Sequence, residues 1–319
     1  MRIGQNPAKF VNTVEKPANI TVVILSYIPY ISGFYAQALD VLRVCLNSVF
    51  NENKLEFDLM VFDNGSCEEV QDYLLQEQRD GKIQFLTLSE KNLGKGGAWN
   101  VILRSAPGEY IAYADSDVNF HQNWLSQSMQ IMKTFPRVGM VTARPFFTKR
   151  EFLTSTFNWA ENAPDSKIER GKLIAWDVFS QFNLSLGQEI DAIRAEYEAA
   201  EIVQIEHAGV KAIAGASHWQ FLTRKDVIAQ FLPFDMTRPM GQVRQLDEKM
   251  NAAGYLRLMT AEPLADNMSN TLTVNTESQA NADSAHSFRK KKSLLEFGPI
   301  KKLLLALHHR IFLLYYDKR

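Results

Sequence analysis

Between Ile20 and Ala143 short apolar runs alternate with longer stretches at helical spacing, and this alternation limits the possible fold more than any other feature of the chain. Strands are expected over Thr21–Ser26, Phe57–Phe62, Ile83–Leu88, Tyr110–Ala114 and Val138–Thr142. Helices are expected near Gln37–Phe50, Cys67–Arg79, Gly96–Ala106 and Asn123–Thr134. In the first of these Leu39, Leu42, Cys45, Leu46 and Val49 recur on one face. The strands are short and almost wholly apolar, as strands covered on both faces are. A parallel, doubly wound α/β sheet with crossover helices on both sides follows.

The fourth run, Tyr110-Ile-Ala-Tyr-Ala-Asp115-Ser116-Asp117-Val118, ends abruptly in two carboxylates one residue apart. Ligands gather just beyond the carboxyl ends of such strands. Two acids there repel one another unless a cation sits between them, and hard oxygen ligands suit Mg²⁺ or Mn²⁺ that also holds substrate phosphates. The same triplet also occurs in ordinary turns. Two more features fall at strand ends. Val61-Phe-Asp63-Asn64-Gly65-Ser66 offers a carboxylate and an amide that can recognise a nucleobase, or else forms a plain glycine turn. Asn92-Leu-Gly94-Lys95-Gly96-Gly97-Ala98-Trp99-Asn100 opens a helix. Its glycines permit close backbone approach, the helix start favours anions and Lys95 adds a charge for a pyrophosphate. It is neither a P-loop nor a dinucleotide fingerprint. Base contact, phosphate loop and metal carboxylates thus occur in the order a nucleoside-diphosphate pocket requires.

Four motifs in series carry a resemblance to a known family: Thr21-Val-Val-Ile-Leu-Ser26-Tyr27, Phe62-Asp63-Asn64-Gly65-Ser66, the Asn92–Asn100 loop, and Ala114-Asp115-Ser116-Asp117-Val118 with Trp124-Leu125 behind it. Together they resemble the family 2 glycosyltransferases of GT-A fold, closely over about 20–147 and more loosely over 202–270. The resemblance implies an inverting transfer from a nucleotide-sugar, a UDP-sugar first of all, to an acceptor hydroxyl, with Mn²⁺ or Mg²⁺ as cofactor. It places Ser26 and Tyr27 at the rim of the nucleotide pocket, Asp63 on the base, Asn92, Gly94 and Lys95 beside the nucleotide or donor sugar, Asp115 on ribose or sugar, and Asp117 on the metal.

The second half departs from the family pattern. Anchored on Gly254-Tyr255, Gln242-Val243 stands where the family has the Glu-Asp pair that supplies its base, and neither residue accepts a proton. Asp247 and Glu248, one turn later, are the nearest acids; they serve either as the base or simply as helix acids favoured by the dipole. Asp235 falls near the expected acceptor cleft. His218 and Trp219 are expected either to meet the acceptor or to form a buried pair. Asp266 stands in the region where relatives place a late metal ligand. An inactive nucleotide-sugar or glycan-binding protein on the same scaffold is the alternative that the Gln242-Val243 departure raises.

Composition narrows the setting. Net charge is −1 over 319 residues, which gives no sign of a nucleic-acid partner. Cys45 and Cys67 make neither a disulfide framework nor a metal cluster, as suits a reducing compartment. No apolar signal core begins the sequence, and no run of about 18 apolar residues predicts a spanning helix. Residues 289–319 hold nine Lys or Arg against Glu296 and Asp317, a local balance of +7 that leaves about −8 elsewhere. Ile300, Leu303, Leu304, Leu307, Ile311 and Leu314 share one helical face there. Such a helix fits the cytoplasmic face of the inner membrane, or docks on the domain or on a second subunit.

The expected organisation is therefore a single large GT-A-type domain, an α/β doubly wound mixed sheet by the resemblance, with an inserted helical segment and a C-terminal amphipathic helix. Its parts are an N-terminal extension (1–19), a nucleotide-sugar half (20–147), an insertion (148–201) that covers the acceptor cleft, contacts a partner or is a surface excursion, an acceptor half (202–274), a linker (275–288) and the basic helix (289–319). The partners implied are a nucleotide-sugar donor, a glycan or lipid-linked glycan acceptor and the membrane surface.

Overall fold

A computed structural model describes residues 4–236 and 241–272. The expected linker and basic helix lie outside the described residues. A ten-stranded mixed sheet forms the frame. Its first half contains β1 (Ile20–Ser26), β2 (Asp58–Asp63), β3 (Phe85–Leu88), β4 (Tyr110–Asp115) and, beyond the short β5 (Val118–Phe120), β6 (Val138–Thr142). Every residue of β1 is buried, because helices cover both faces of this central strand. The crossovers are α1 (Ala38–Val49), α2 (Glu68–Arg79), α3 (Gly94–Ser105) and α4 (Trp124–Thr134). Leu42, Cys45, Leu46 and Val49 turn the apolar face of α1 onto the sheet, while Trp99, Ile102 and Leu103 do so from α3 on the other side. The acids Glu68 and Glu69 open α2, where the helix dipole favours them.

The insertion carries α5 (Thr154–Asn162), β7 (Ser166–Gly171), α6 (Trp176–Ser185) and α7 (Ile190–Ala199). It is not purely helical as expected: β7 pairs antiparallel with β8 (Ile202–His207) and finishes the sheet edge. The polar sequence Ser166-Lys-Ile-Glu-Arg-Gly hides this strand, since an edge strand needs no apolar run. β9 (Val210–Ala214), β10 (Gln220–Arg224), α8 (Lys225–Ile228), α9 (Gly241–Ala252), β11 (Leu256–Thr260) and β12 (Ala265–Asn267) complete the domain. Among the described residues no helix is long and apolar enough to cross a membrane.

Strand order is β3-β2-β1-β4-β10-β6-β11-β9-β8-β7. The parallel sheet expected from the alternation is interrupted by β10, which runs antiparallel between β4 and β6. This reversal has a consequence for the site. The start of an antiparallel strand lies at the carboxyl end of its neighbour, so Gln220 pairs with Ala114 and the chain just before it, 215–219, arrives beside Asp115. Separately, β12 pairs with β5, Asp266 opposite Asn119, which draws residues 268–270 to Asp117.

Gly65 joins two of these parts. Its φ is +89°, and a Cβ there would lie 3.1 Å from both the Asn92 amide nitrogen and the Lys91 carbonyl carbon. Gly65→Ala is expected to lower stability by about 2 kcal/mol, from the left-handed backbone and the displaced loop. An unchanged midpoint in urea denaturation would contradict this close approach.

Candidate functional site

The carboxyl ends of β1, β2 and β4 open onto a cleft of about 390 Å³. Tyr27 and Ile28 line it beyond β1, Asn64 beyond β2, Gly94 and Lys95 at the start of α3, Asp115 to Asp117 beyond β4, and Ser269 and Asn270 beyond β12. Asp115 is fully engaged. One carboxylate oxygen lies 2.6 Å from the Lys95 ammonium and the other accepts a 2.6 Å bond from the Tyr113 hydroxyl. Lys95 is itself held over the Trp99 and Tyr113 rings, 5.5 and 5.6 Å from their centroids.

Asp117 has no such cation of its own. Its Oδ1 is buried without a hydrogen-bond partner. Burial, and then the Asp115 charge, push its pKa up to about 7 against the opposing pull of Lys95. The donor set suits a hard cation: an unpaired buried carboxylate oxygen beside a second carboxylate, with room in the cleft for phosphate oxygens. Among the described residues no group of three or more His, Cys, Asp or Glu is placed to hold a metal. Asp117 therefore offers one open carboxylate oxygen, while both oxygens of the neighbouring Asp115 are taken by Lys95 and Tyr113.

At the other end of the cleft Asp63 is fully buried, and its Oδ2 accepts from the Ser66 amide at 3.0 Å. Its Oδ1 and the Ser26 hydroxyl, in register across β1 and β2, are both buried without partners. Asp63 thus lies beneath the cleft floor, and Asn64 is the residue that lines the cleft. The Asn64 side chain accepts from the Leu93 amide at 2.9 Å and donates to Asn92 Oδ1 at 3.0 Å. Asn92 in turn accepts from the Gly94 amide at 2.8 Å. Gly94, with φ +66°, starts α3, and Leu93 provides no capping side chain. The other first-turn amides have no partner within the helix, an arrangement that favours an anion.

The second-half residues divide sharply. Trp219 is only 6% exposed and packs on Phe182 at 5.7 Å, so the expected stacking platform is a core residue instead. Its backbone carbonyl accepts the Asp115 amide at 2.8 Å. His218, a third exposed, places Nδ1 3.6 Å from Asp247. Asp247 also pairs with the buried Arg257 guanidinium at 2.7 Å. Glu248 is on the outer face of α9, exposed and paired with Arg244 at 2.9 Å, which removes it as a site residue. Asp235 is exposed, one residue beyond Phe234, whose amide and carbonyl are both bonded by Asn100.

Asp266 is the other correction. One oxygen pairs with the buried Arg144 and the other lies 2.8 Å from His121 Nε2, so neither is open to a metal. Burial opposes ionisation of Asp266, but the His121 hydrogen bond and the Arg144 charge hold its pKa below the usual carboxylate range. The same hydrogen bond raises the pKa of His121.

Residues 33–184 match the family model described as glycosyl transferase family 2. Over those residues the chain is similar to family 2 glycosyltransferases. Relatives include an uncharacterised glycosyltransferase of Nostoc sp., 26% identical over 96 residues, which are 30% of either chain. The succinoglycan biosynthesis protein ExoW of Rhizobium meliloti is 30% identical over 120 residues, 37% of this chain and 35% of that protein. A solved mannosyltransferase from Pyrobaculum calidifontis, in complex with GDP-Man and Mn²⁺, aligns with a TM-score of 0.44 at 15% identity, over 77% of this chain and 57% of that one. The matched segments span only 12% to 38% of the curated relatives' own lengths.

Several residues of this domain escape a reading by motif. Tyr113 orients Asp115, and its position two residues earlier on the same strand face was a legible sign of that. Arg144 and Arg257, which occupy the oxygens of Asp266 and Asp247, gave no local signal. Neither did Ser269 and Asn270, which join the cleft only through the β12–β5 pairing.

The raised Asp117 pKa fixes a stability trend in metal-free buffer. Between its unfolded value near 4 and about 7 the folded chain binds the extra proton, so stability falls as pH rises through that window. Asp117→Asn is expected to match the wild type near pH 4 and to exceed it by on the order of 4 kcal/mol above pH 7. Denaturant midpoints across that range, with EDTA present, would show a constant difference if Asp117 carried no such strain.

Proposed function

We propose that this chain transfers a sugar from a nucleotide-diphosphate donor, a UDP-sugar first of all, to an acceptor hydroxyl with inversion and with Mn²⁺ or Mg²⁺ bound. The observation that carries the reading is the unpaired, buried oxygen of Asp117 next to Asp115, at the mouth of a cleft whose far wall begins a helix. A divalent ion held there would offset charge growing on the leaving diphosphate. The remaining work belongs to the chain. Lys95 pairs with Asp115 and holds it aligned, the start of α3 favours the phosphates, and Asn64 and Tyr27 flank the space for the base. Asp63 and Ser26, each with an unpartnered buried oxygen, are the groups to which a base N–H would bond once the floor opens. Sequence relatives named for polysaccharide synthesis, ExoW and a putative teichuronic acid glycosyltransferase of Bacillus subtilis, support a surface or lipid-linked glycan as the product. The basic stripe of 289–319 supports a position at the cytoplasmic face of the membrane.

One observation favours a second reading, a donor-binding protein without turnover. Val243, standing where the family has its base, is only 5% exposed and packed in the apolar cluster. The two readings share the donor site and differ in turnover.

UDP with Mn²⁺ at about 100 times its dissociation constant should add roughly 2.7 kcal/mol and raise the melting temperature by at least about 5 °C. Either component alone should do much less, and Asp117→Ala should abolish the joint effect. A shift that is the same without the ion, or is kept by Asp117→Ala, would overturn the metal assignment. Release of UDP from UDP-glucose or UDP-N-acetylglucosamine separates the transferase from the silent binder.

A further inference from the structure

We propose that His218, oriented by Asp247, takes the proton from the acceptor hydroxyl; this inference rests on the transferase reading above. The helix that should bring a base to the cleft presents Val243, which packs inward. Residues four apart share a helix face, so Asp247 points to the same side one turn further along. It is too deep to meet an acceptor directly, since its oxygens are turned to Arg257 at 2.7 Å and to His218 Nδ1 at 3.6 Å. The carboxylate therefore faces a ring rather than the cleft.

The ring is suited to pass the function outward. His218 Nδ1 is buried and has no hydrogen bond, the Asp247 carboxylate standing 3.6 Å away as a charge contact, and a third of the side chain is exposed. Nδ1 takes no part in that exposure, and Nε2 is the ring's other nitrogen. A carboxylate facing Nδ1 favours the tautomer with the proton on that nitrogen and leaves Nε2 as the acceptor. Location agrees with this role. The Asp115 amide donates to the Trp219 carbonyl at 2.8 Å, so the residue after His218 is bonded to the strand end that carries the acidic pair. Arg257 fixes the other side of Asp247: its guanidinium also donates to the Ala216 carbonyl at 2.6 Å and the Phe152 carbonyl at 2.9 Å. One buried cation thus ties α9 to the chain that bears His218.

In the step itself the acceptor oxygen forms a bond to the sugar's anomeric carbon while the bond from that carbon to the diphosphate oxygen breaks. The electron pair leaves on the diphosphate, and the hydroxyl proton moves to His218 Nε2. No oxidant or further reactant is needed.

The test uses the full chain with UDP-glucose, UDP-N-acetylglucosamine and GDP-mannose as probes, Mn²⁺ present, and water or simple glycosides as acceptors. Release of nucleoside diphosphate gives turnover, and the thermal shift with UDP and Mn²⁺ gives binding. His218→Gln should lose about 10²–10⁴-fold in kcat, the range expected for a general base, with the binding shift unchanged. Imidazole added to His218→Gly should restore part of that turnover and leave the wild type unaffected, which a purely structural histidine would not allow. Asp247→Asn should lower kcat by a smaller factor, with the KM for donor unchanged, and Asp247→Glu should recover part of the loss. Turnover within a few-fold of wild type in His218→Gln, or no rescue by imidazole, overturns the proposal. A wild type that binds UDP but turns over none of the probes overturns the dyad and leaves donor binding standing. One that neither binds nor turns over overturns the transferase reading itself.

Discussion

Two carboxylates at the end of one buried strand create a charge problem, and much of the domain is arranged around it. Asp115 and Asp117 follow an apolar run that cannot solvate them, so their ionisation depends on what neighbouring elements bring. Lys95 meets only the first of them. To do so it must sit in the first turn of α3, with that helix starting close to the end of β4. The glycines around it make such an approach possible, and the Asn64 side chain, bonded to the Asn92 and Leu93 positions, holds the helix start in place. The glycine-rich loop and the acidic pair are thus two halves of one electrostatic arrangement.

The reversal at β10 extends that arrangement to the far half of the chain. Had this strand run parallel to β4, residues 215–219 would have emerged at the opposite end of the sheet. Running antiparallel, it delivers the Trp219 carbonyl to the Asp115 amide. The small β5–β12 pairing acts in the same sense, since the Met268 amide bonds the Asp117 carbonyl at 2.8 Å. The Asn270 side chain then reaches the Phe34 carbonyl at 2.6 Å, so the chain beyond β12 meets the aromatic loop after β1. Tyr27, Phe34 and Tyr35 on that loop line the same cleft. Residues about 240 positions apart in the sequence therefore form one wall.

What the sequence disclosed follows from range. The strands β1 to β4, the helices between them and the order of base turn, glycine loop and acidic pair were legible because each motif is continuous and lies at the end of its own strand. Tyr113 was legible in principle, two residues from Asp115 in a strand. The burial of Trp219 was not, because it depends on Phe182 from the insertion. β7 and β12 stayed hidden because short edge or ribbon strands need no apolar alternation. Asp63 was rightly placed at a strand end, but its depth below the cleft floor reflects the Ser66 and Gln71 contacts that turn its carboxylate inward.

The acids of the second half show why residue type alone misleads. Arg144 and Arg257 are each 1% exposed, and a guanidinium so far from water needs a carboxylate. Arg144 takes Asp266 and bonds the Val178 carbonyl on α6 at 2.8 Å, so the pair fastens β12 to the insertion. Arg257 takes Asp247 and fastens α9 to the segment before β10. Removing either acid would strand a buried cation, a loss of several kcal/mol. Asp266 is therefore committed to architecture, and Asp247 holds Arg257 with one oxygen while the other faces His218. Asp117 differs in kind: it is buried, next to another negative charge, and has an oxygen that nothing in the described chain satisfies. The same fold that neutralises two buried arginines so thoroughly leaves this carboxylate, among the described residues, without a cation of its own.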